Sequence, residues 1–174
     1  GVFGSFYNWL TLRTQNLYAK LKCSTSVKLM IPFLLAGILG LLFPVVLCGG
    51  HAIVEKLTLS SALSLLLLML VAKFLFSIIS FGSGAPGGIF FPLLIIGGTF
   101  GAVFGYIAIN YLGISPTLFN NFIIISMAGY FTAIVRAPIT GIILITEMTG
   151  SFSNLLSLSI VSIISYIIAD ALKS

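Results

Sequence analysis

Between Lys73 and Arg136 the chain runs for 62 consecutive residues without an Asp, Glu, Lys or Arg. One membrane-crossing helix needs about 20 apolar residues, so this stretch alone has room for two or three spans or partial spans. A soluble fold of 174 residues would need far more polar surface to cover its core. Composition points the same way. Hydrophobic residues make up 59% of the chain and charged residues 6%, against about 25% charged in an ordinary soluble domain. The sequence reads as an all-α, multi-pass integral membrane protein with about six to eight helical segments.

The charge that remains is unevenly placed. The net charge is +5, and Arg13, Lys20, Lys22 and Lys28 share one short polar stretch. Such stretches either mark cytoplasmic loops or anchor span ends at lipid headgroups. The basic residues are too few for a nucleic-acid partner. Cys23 and Cys48 have no metal-ligand spacing and read as buried small hydrophobes rather than a disulfide. With one histidine, His51, and carboxylates only at Glu55, Glu147 and Asp170, the chain offers neither a metal centre nor a nucleophile–base set. No catalytic residue, metal or cofactor is expected, and the chain does not read as an enzyme. It opens Gly1-Val2-Phe3-Gly4 without an initiator Met or a recognisable signal peptide, and reads as part of something longer.

Residues Val2 to about Leu21 read as a helix. Gly1, Gly4 and Ser5 are small enough for close helix contact, and Trp9 and Tyr18 suit membrane interfaces. Leu29 to Leu47 is an apolar run with Pro32 near its start, ended by Cys48-Gly49-Gly50-His51; Glu55 and Lys56 mark a polar patch. Ser60 to Ser80 carries one charge, Lys73. A lysine inside a span is a functional suspect, but its long side chain can also reach the interface, which is the favoured reading. Leu93 to Leu112 follows, with Gly97, Gly98, Gly101 and Gly105 spaced for close backbone approach along one face. Asn110 to Asn121 reads as a loop containing Pro116, and Phe122 to Val135 as a helix. Arg136-Ala137-Pro138 interrupts it, and Ile139 to Met148 resumes it. Gly150 to Asn154 is a turn, and Leu155 to Ala171 the last helix. Arg136 and Glu147 read as structural, pairing or anchoring near membrane boundaries. Several segments are too short to cross a bilayer. Short, Gly/Pro-interrupted apolar segments point to a transporter's binding site.

The most informative segment is Gly82 to Pro92, with four glycines, two prolines and no charge. Glycines let backbone N–H groups face a ligand, and successive amides form an anion-binding nest. The first N–H groups of the apolar helix that follows have no intrahelical partner, and its dipole puts about half a positive charge there. The combination suits an anion held without a charged side chain, tightly enough to enter and loosely enough to leave. Two other readings compete. Gly82-Ser83-Gly84-Ala85-Pro86-Gly87 fits a dinucleotide fingerprint, but that motif needs a preceding strand and an acidic residue about 20 positions on. The next one here is Glu147. The glycines could also serve packing alone.

Ser83-Gly84-Ala85-Pro86-Gly87-Gly88-Ile89-Phe90-Phe91-Pro92 resembles the G-x-F-x-P filter motif, with its preceding glycine-rich turn, of the CLC family of chloride channels and chloride/proton exchangers. Arg136-Ala137-Pro138-Ile139-Thr140-Gly141 through Thr146-Glu147-Met148-Thr149 is similar to a second family block, and Gly1 to Gln15 to a third, less specific one. The family fold has two inverted halves whose helix amino ends meet around chloride near the bilayer midplane. The resemblance implies that residues 1–174 form the carboxy-terminal half of such a transmembrane pore domain, built of broken, tilted helices. It implies a filter of Gly88, Ile89, Phe90, Phe91 and Pro92, supported by a turn containing Gly84, Pro86 and Gly87. The N–H groups of Ile89 and Phe90 would bind the ion, Gly88 would permit its approach, and Pro92 would sit in the first helical turn. Ser83 does not inherit the family's chloride-ligating serine, which belongs to the first half. The gating and proton-path glutamates are expected in that half, and the filter tyrosine beyond Ser174; Tyr166 is too early. The partners implied are chloride as transported ligand, protons in an exchanger, membrane lipid, and a second copy joined through the late helices. The alternative is another broken-helix secondary transporter of small anions.

Overall fold

The computed structural model describes residues 1–42, 57–59, 61–150 and 152–172, and among them every regular element is helical. The described residues form α1 (Val2–Lys20), α2 (Thr25–Leu42), α3 (Leu63–Gly82), α4 (Phe90–Leu112), α5 (Phe119–Val135), α6 (Pro138–Thr149) and α7 (Leu155–Ala171). Short 3-10 turns at Pro116–Leu118 and Phe152–Asn154 lead into α5 and α7. Among the described residues, five segments are long and apolar enough to cross a membrane: Thr25–Leu42, Leu63–Gly82, Phe90–Leu112, Pro116–Val135 and Phe152–Ala171. At 12 residues α6 extends only about 18 Å.

The hub is α5, which packs against α4, α7, α6 and α1. Its contact with α4 depends on missing side chains. A methyl group built on Gly101 would lie 2.5 Å from the Phe122 carbonyl oxygen and 2.9 Å from the Ile123 Cα. One on Gly97 would lie 3.1 Å from the Met127 Cα. Glycines four residues apart therefore form a groove that admits the α5 backbone. On the other side of α5, Gly4 of α1 sits where a Cβ would meet Ala133 at 2.6 Å. An aromatic cluster ties α1, α3 and α4 together: the Phe3 ring stacks on Phe74 at 5.1 Å and on Phe100 at 4.7 Å. Each such pair adds about 0.5–1.5 kcal/mol. The Tyr7 hydroxyl shares a 2.7 Å hydrogen bond with Ser77, satisfying two buried polar groups at once.

Helix ends follow local chemistry. Gly113 takes φ 71 after α4, and the Gly113 and Ile114 amides turn back to the Ala108 carbonyl, a left-handed cap that glycine adopts freely. Gly150 closes α6 in the same way at φ 61. Pro138 opens α6, where a missing N–H is harmless.

Several expectations change. The 110–121 loop is shorter than expected, because α4 continues to Leu112 and Pro116 starts a turn that feeds α5 at Phe119. Pro32 lies inside α2, since that helix starts at Thr25. Cys23 is exposed, in the link between α1 and α2 rather than on a packed face. Tyr18 is buried, whereas Trp9 is exposed with the Arg13 guanidinium 4.5 Å over its ring. Lys73 is 3% exposed and does not reach the surface. It shares the buried face of α3 with Leu66, Met69, Leu70, Phe74, Ser77 and Ile78, at helical spacing. The 48–51 break, with Cys48 and His51, and the Glu55–Lys56 patch lie outside the described residues.

Candidate anion site at the amino end of α4

The site grows out of the way α3 ends. The Ser83 hydroxyl donates to the Ser80 carbonyl at 2.7 Å and accepts from the Ala85 amide at 3.3 Å. The Gly84 amide donates to the Phe81 carbonyl at 3.2 Å. The turn then requires φ 78 at Gly84, in the left-handed region that side chains disfavour. Ala85 rests over a hollow of about 140 Å³ lined by Pro32, Phe33 and Ala36 of α2 and Phe76 and Ser80 of α3. Pro86, Gly87 and Gly88 continue as exposed, irregular chain.

Ile89 caps α4 at φ −76 and ψ −23, with no side-chain hydrogen bond, and no acidic residue stands in the first turn. The Ile89 carbonyl accepts the Leu93 amide at 3.2 Å. The Ile89 and Phe90 amides have no protein acceptor among the described residues. Pro92, third in the helix, has no N–H to leave unmatched at that end. A Cβ built on Gly87 or Gly88 would meet nothing within 4 Å, so the space ahead of the helix is open. Ile89 and Phe91 are exposed, while Phe90 is half-buried. The Phe90 ring packs edge-on against Phe91 at 5.3 Å and against Phe131 of α5 at 5.4 Å. Gly84, Pro86, Gly87, Gly88, Ile89, Phe90, Phe91 and Pro92 thus form one continuous turn and helix start. What this arrangement offers is free main-chain donors and a helix dipole at an open, uncharged surface.

Nothing in the sequence marks Phe131 as part of this site. An aromatic residue in an apolar helix gives no local sign of its partner, 41 positions away. Nor does the sequence reveal the partner of Arg136. That residue ends α5 at φ 61 and donates its own amide to the Thr132 carbonyl at 2.9 Å. Its guanidinium reaches Asp170 Oδ1 at 2.9 Å and the Ala169 carbonyl at 2.8 Å. Arg136 therefore pairs with the end of α7, while Glu147 is exposed on α6.

The sequence profile of the family described as voltage gated chloride channel matches residues 1–170. The H(+)/Cl(−) exchange transporter ClcA of Vibrio cholerae serotype O1 (strain M66-2) is 38% identical over 180 residues, covering 99% of this chain and 38% of that protein. The ClcA of Klebsiella pneumoniae subsp. pneumoniae is 36% identical over 165 residues, covering 92% of this chain and 35% of its own length. A solved structure of a slow cyanobacterial Cl−/H+ antiporter superposes with a TM-score of 0.81 at 29% identity, covering 99% of this chain and 41% of that one. The chain spans about two fifths of the length of these relatives. With apolar helices long enough to cross a membrane and these relatives, it is a multi-pass integral membrane protein. It belongs to the voltage-gated chloride channel family.

Proposed function

We propose that this chain is the carboxy-terminal half of a transmembrane pore domain that moves chloride across a membrane, and that it binds the ion through the amides of Ile89 and Phe90. The observation that carries the reading is the pair of unmatched N–H groups at an open helix amino end with no acidic residue beside it. A halide entering lipid sheds water, and peptide dipoles replace that hydration without the tight hold of a full charge. Gly88 keeps the approach clear, and the side chains of Ile89, Phe90 and Phe91 shape the path. The exchange-transporter relatives support chloride/proton exchange as the activity of the whole protein. A homodimer would form through α6 and α7, which expose Ile139, Ile143, Leu156 and Ile163 to a second copy or to lipid.

The test separates amide from side chain in the full-length protein. Ile89 sits at φ −76, close to the angle a proline ring imposes, and both 89 and 90 lie where a helix tolerates proline. Phe90→Ala should still bind chloride by calorimetry with only a few-fold loss, because its amide remains and only the seating of its ring is lost. Phe90→Pro and Ile89→Pro should weaken binding about tenfold or more, the scale of one lost hydrogen bond to an ion. Proline variants that bind chloride as well as the parent would place the ion elsewhere.

A further inference from the structure

We propose that Arg136 and Asp170 are positioning residues for the anion site, acting through the last turn of α5; the proposal rests on the reading of Ile89 and Phe90 as the chloride ligands. A continuous chain of contacts links the two. The Phe90 ring, one residue into α4, packs edge-on against Phe131 at 5.4 Å. Phe131 immediately precedes the last turn of α5, and the carbonyl of its neighbour Thr132 accepts the Arg136 amide. The Arg136 side chain then clasps the end of α7 at two points, the Asp170 carboxylate and the Ala169 carbonyl.

The last carbonyls of a helix lack intrahelical donors, and such turns fray unless something holds them. Here three holds converge. Asn8 of α1 donates from Nδ2 to the Ile134 carbonyl at 3.3 Å. Gly141 of α6 abuts the same turn so closely that a Cβ there would lie 2.8 Å from Thr132 Oγ1 and 3.3 Å from the Phe131 ring. The third hold is the Arg136 clasp, which fixes the end of α5 to the end of α7, where a cation is also favoured by the helix dipole. An exposed ion pair adds little to stability. Its consequence is geometric: it sets where Phe131 sits, hence where the Phe90 ring rests and how the adjacent amides face the ion. A binding site made of fixed dipoles depends on such positioning, because the donors cannot swing to follow the ligand as a long side chain can.

The experiment uses the full-length protein, with chloride and nitrate affinities measured by calorimetry in detergent. The Asp170 side chain is 69% exposed, so its replacement leaves packing intact. Asp170→Asn should raise the chloride Kd by about two- to threefold, within what the loss of one exposed ion pair can transmit. It should also change the chloride-to-nitrate affinity ratio. Asp170→Glu, which keeps the charge, should stay near the parent in both. Phe131→Leu, which removes the ring between the clasp and Phe90, should reproduce the Asp170→Asn change. The proposal is overturned if Asp170→Asn and Phe131→Leu keep the parent's Kd and ratio while Phe90→Pro has lost chloride binding. If Phe90→Pro also binds like the parent, the chloride-site reading itself falls and the clasp has nothing to position.

Discussion

Gly84 is the residue on which the turn into the site depends. It takes φ 78, yet a Cβ built there meets nothing within 4 Å. A substitution at Gly84 is thus penalised by backbone conformation alone. Gly84→Ala should destabilise the full-length protein by about 1 kcal/mol, and Gly84→Asn by less, since asparagine visits the left-handed region more readily. Thermal unfolding in detergent, followed by the loss of the monodisperse species, measures both. Equal stability of all three would mean the turn opens without affecting the fold. The candidate segment was legible because glycine and proline act through their own backbones. Their message is local, and Gly82 to Pro92 could be read as a charge-free turn feeding a helix. The seat of Phe90 on Phe131 and the partner of Arg136 were not legible, because both are long-range contacts between side chains whose types are ordinary where they stand. Lys73 was misread for a related reason. Its length permits escape to the surface, but the face it occupies is fixed by α3 packing, which one segment alone does not reveal.

At the scale of elements, the glycine stripe of α4 makes two opposed predictions possible. Gly101→Val should destabilise by about 2 kcal/mol or more, because the added methyl groups meet the Phe122 carbonyl and the Ile123 backbone, which cannot yield as a flexible side chain would. Gly37, inside α2, has open space where its Cβ would be. Gly37→Ala should instead stabilise by about 0.5–1 kcal/mol through helix propensity. The same thermal assay reads both, and a shift of the same sign in the two variants would refute the distinction. The helices themselves were legible, since long uncharged apolar runs in a membrane have few alternatives to a helix. Their boundaries were less so. Helix α2 begins at Thr25 within the polar stretch, and α5 begins at Phe119 inside the expected loop. Polar residues such as Asn120 and Asn121 favour a loop by propensity, but a 3-10 turn opened by Pro116 leads directly into a helix that accommodates them.

At the scale of the whole molecule, the question is what covers the outer face of α7. Leu156, Ile160, Ile163 and Ile167 recur at helical spacing, and each is about half exposed or more. In a membrane, exposure of apolar residues does not by itself demand a protein partner, because lipid tails are as apolar as isoleucine. The two coverings differ in compliance. Acyl chains flow around a larger side chain, whereas a packed helix interface clashes with it. Ile163→Trp is therefore the informative change. Against lipid it should leave assembly unaltered; against a second copy it should raise the monomer fraction of the full-length protein, seen by light scattering after size exclusion. Ile163→Leu, which conserves volume, should behave like the parent in both cases. Paired with Ile167→Trp, one turn further along the same face, the effect should grow if the stripe is one continuous interface, and a protein still fully dimeric with both tryptophans would assign this face of α7 to lipid.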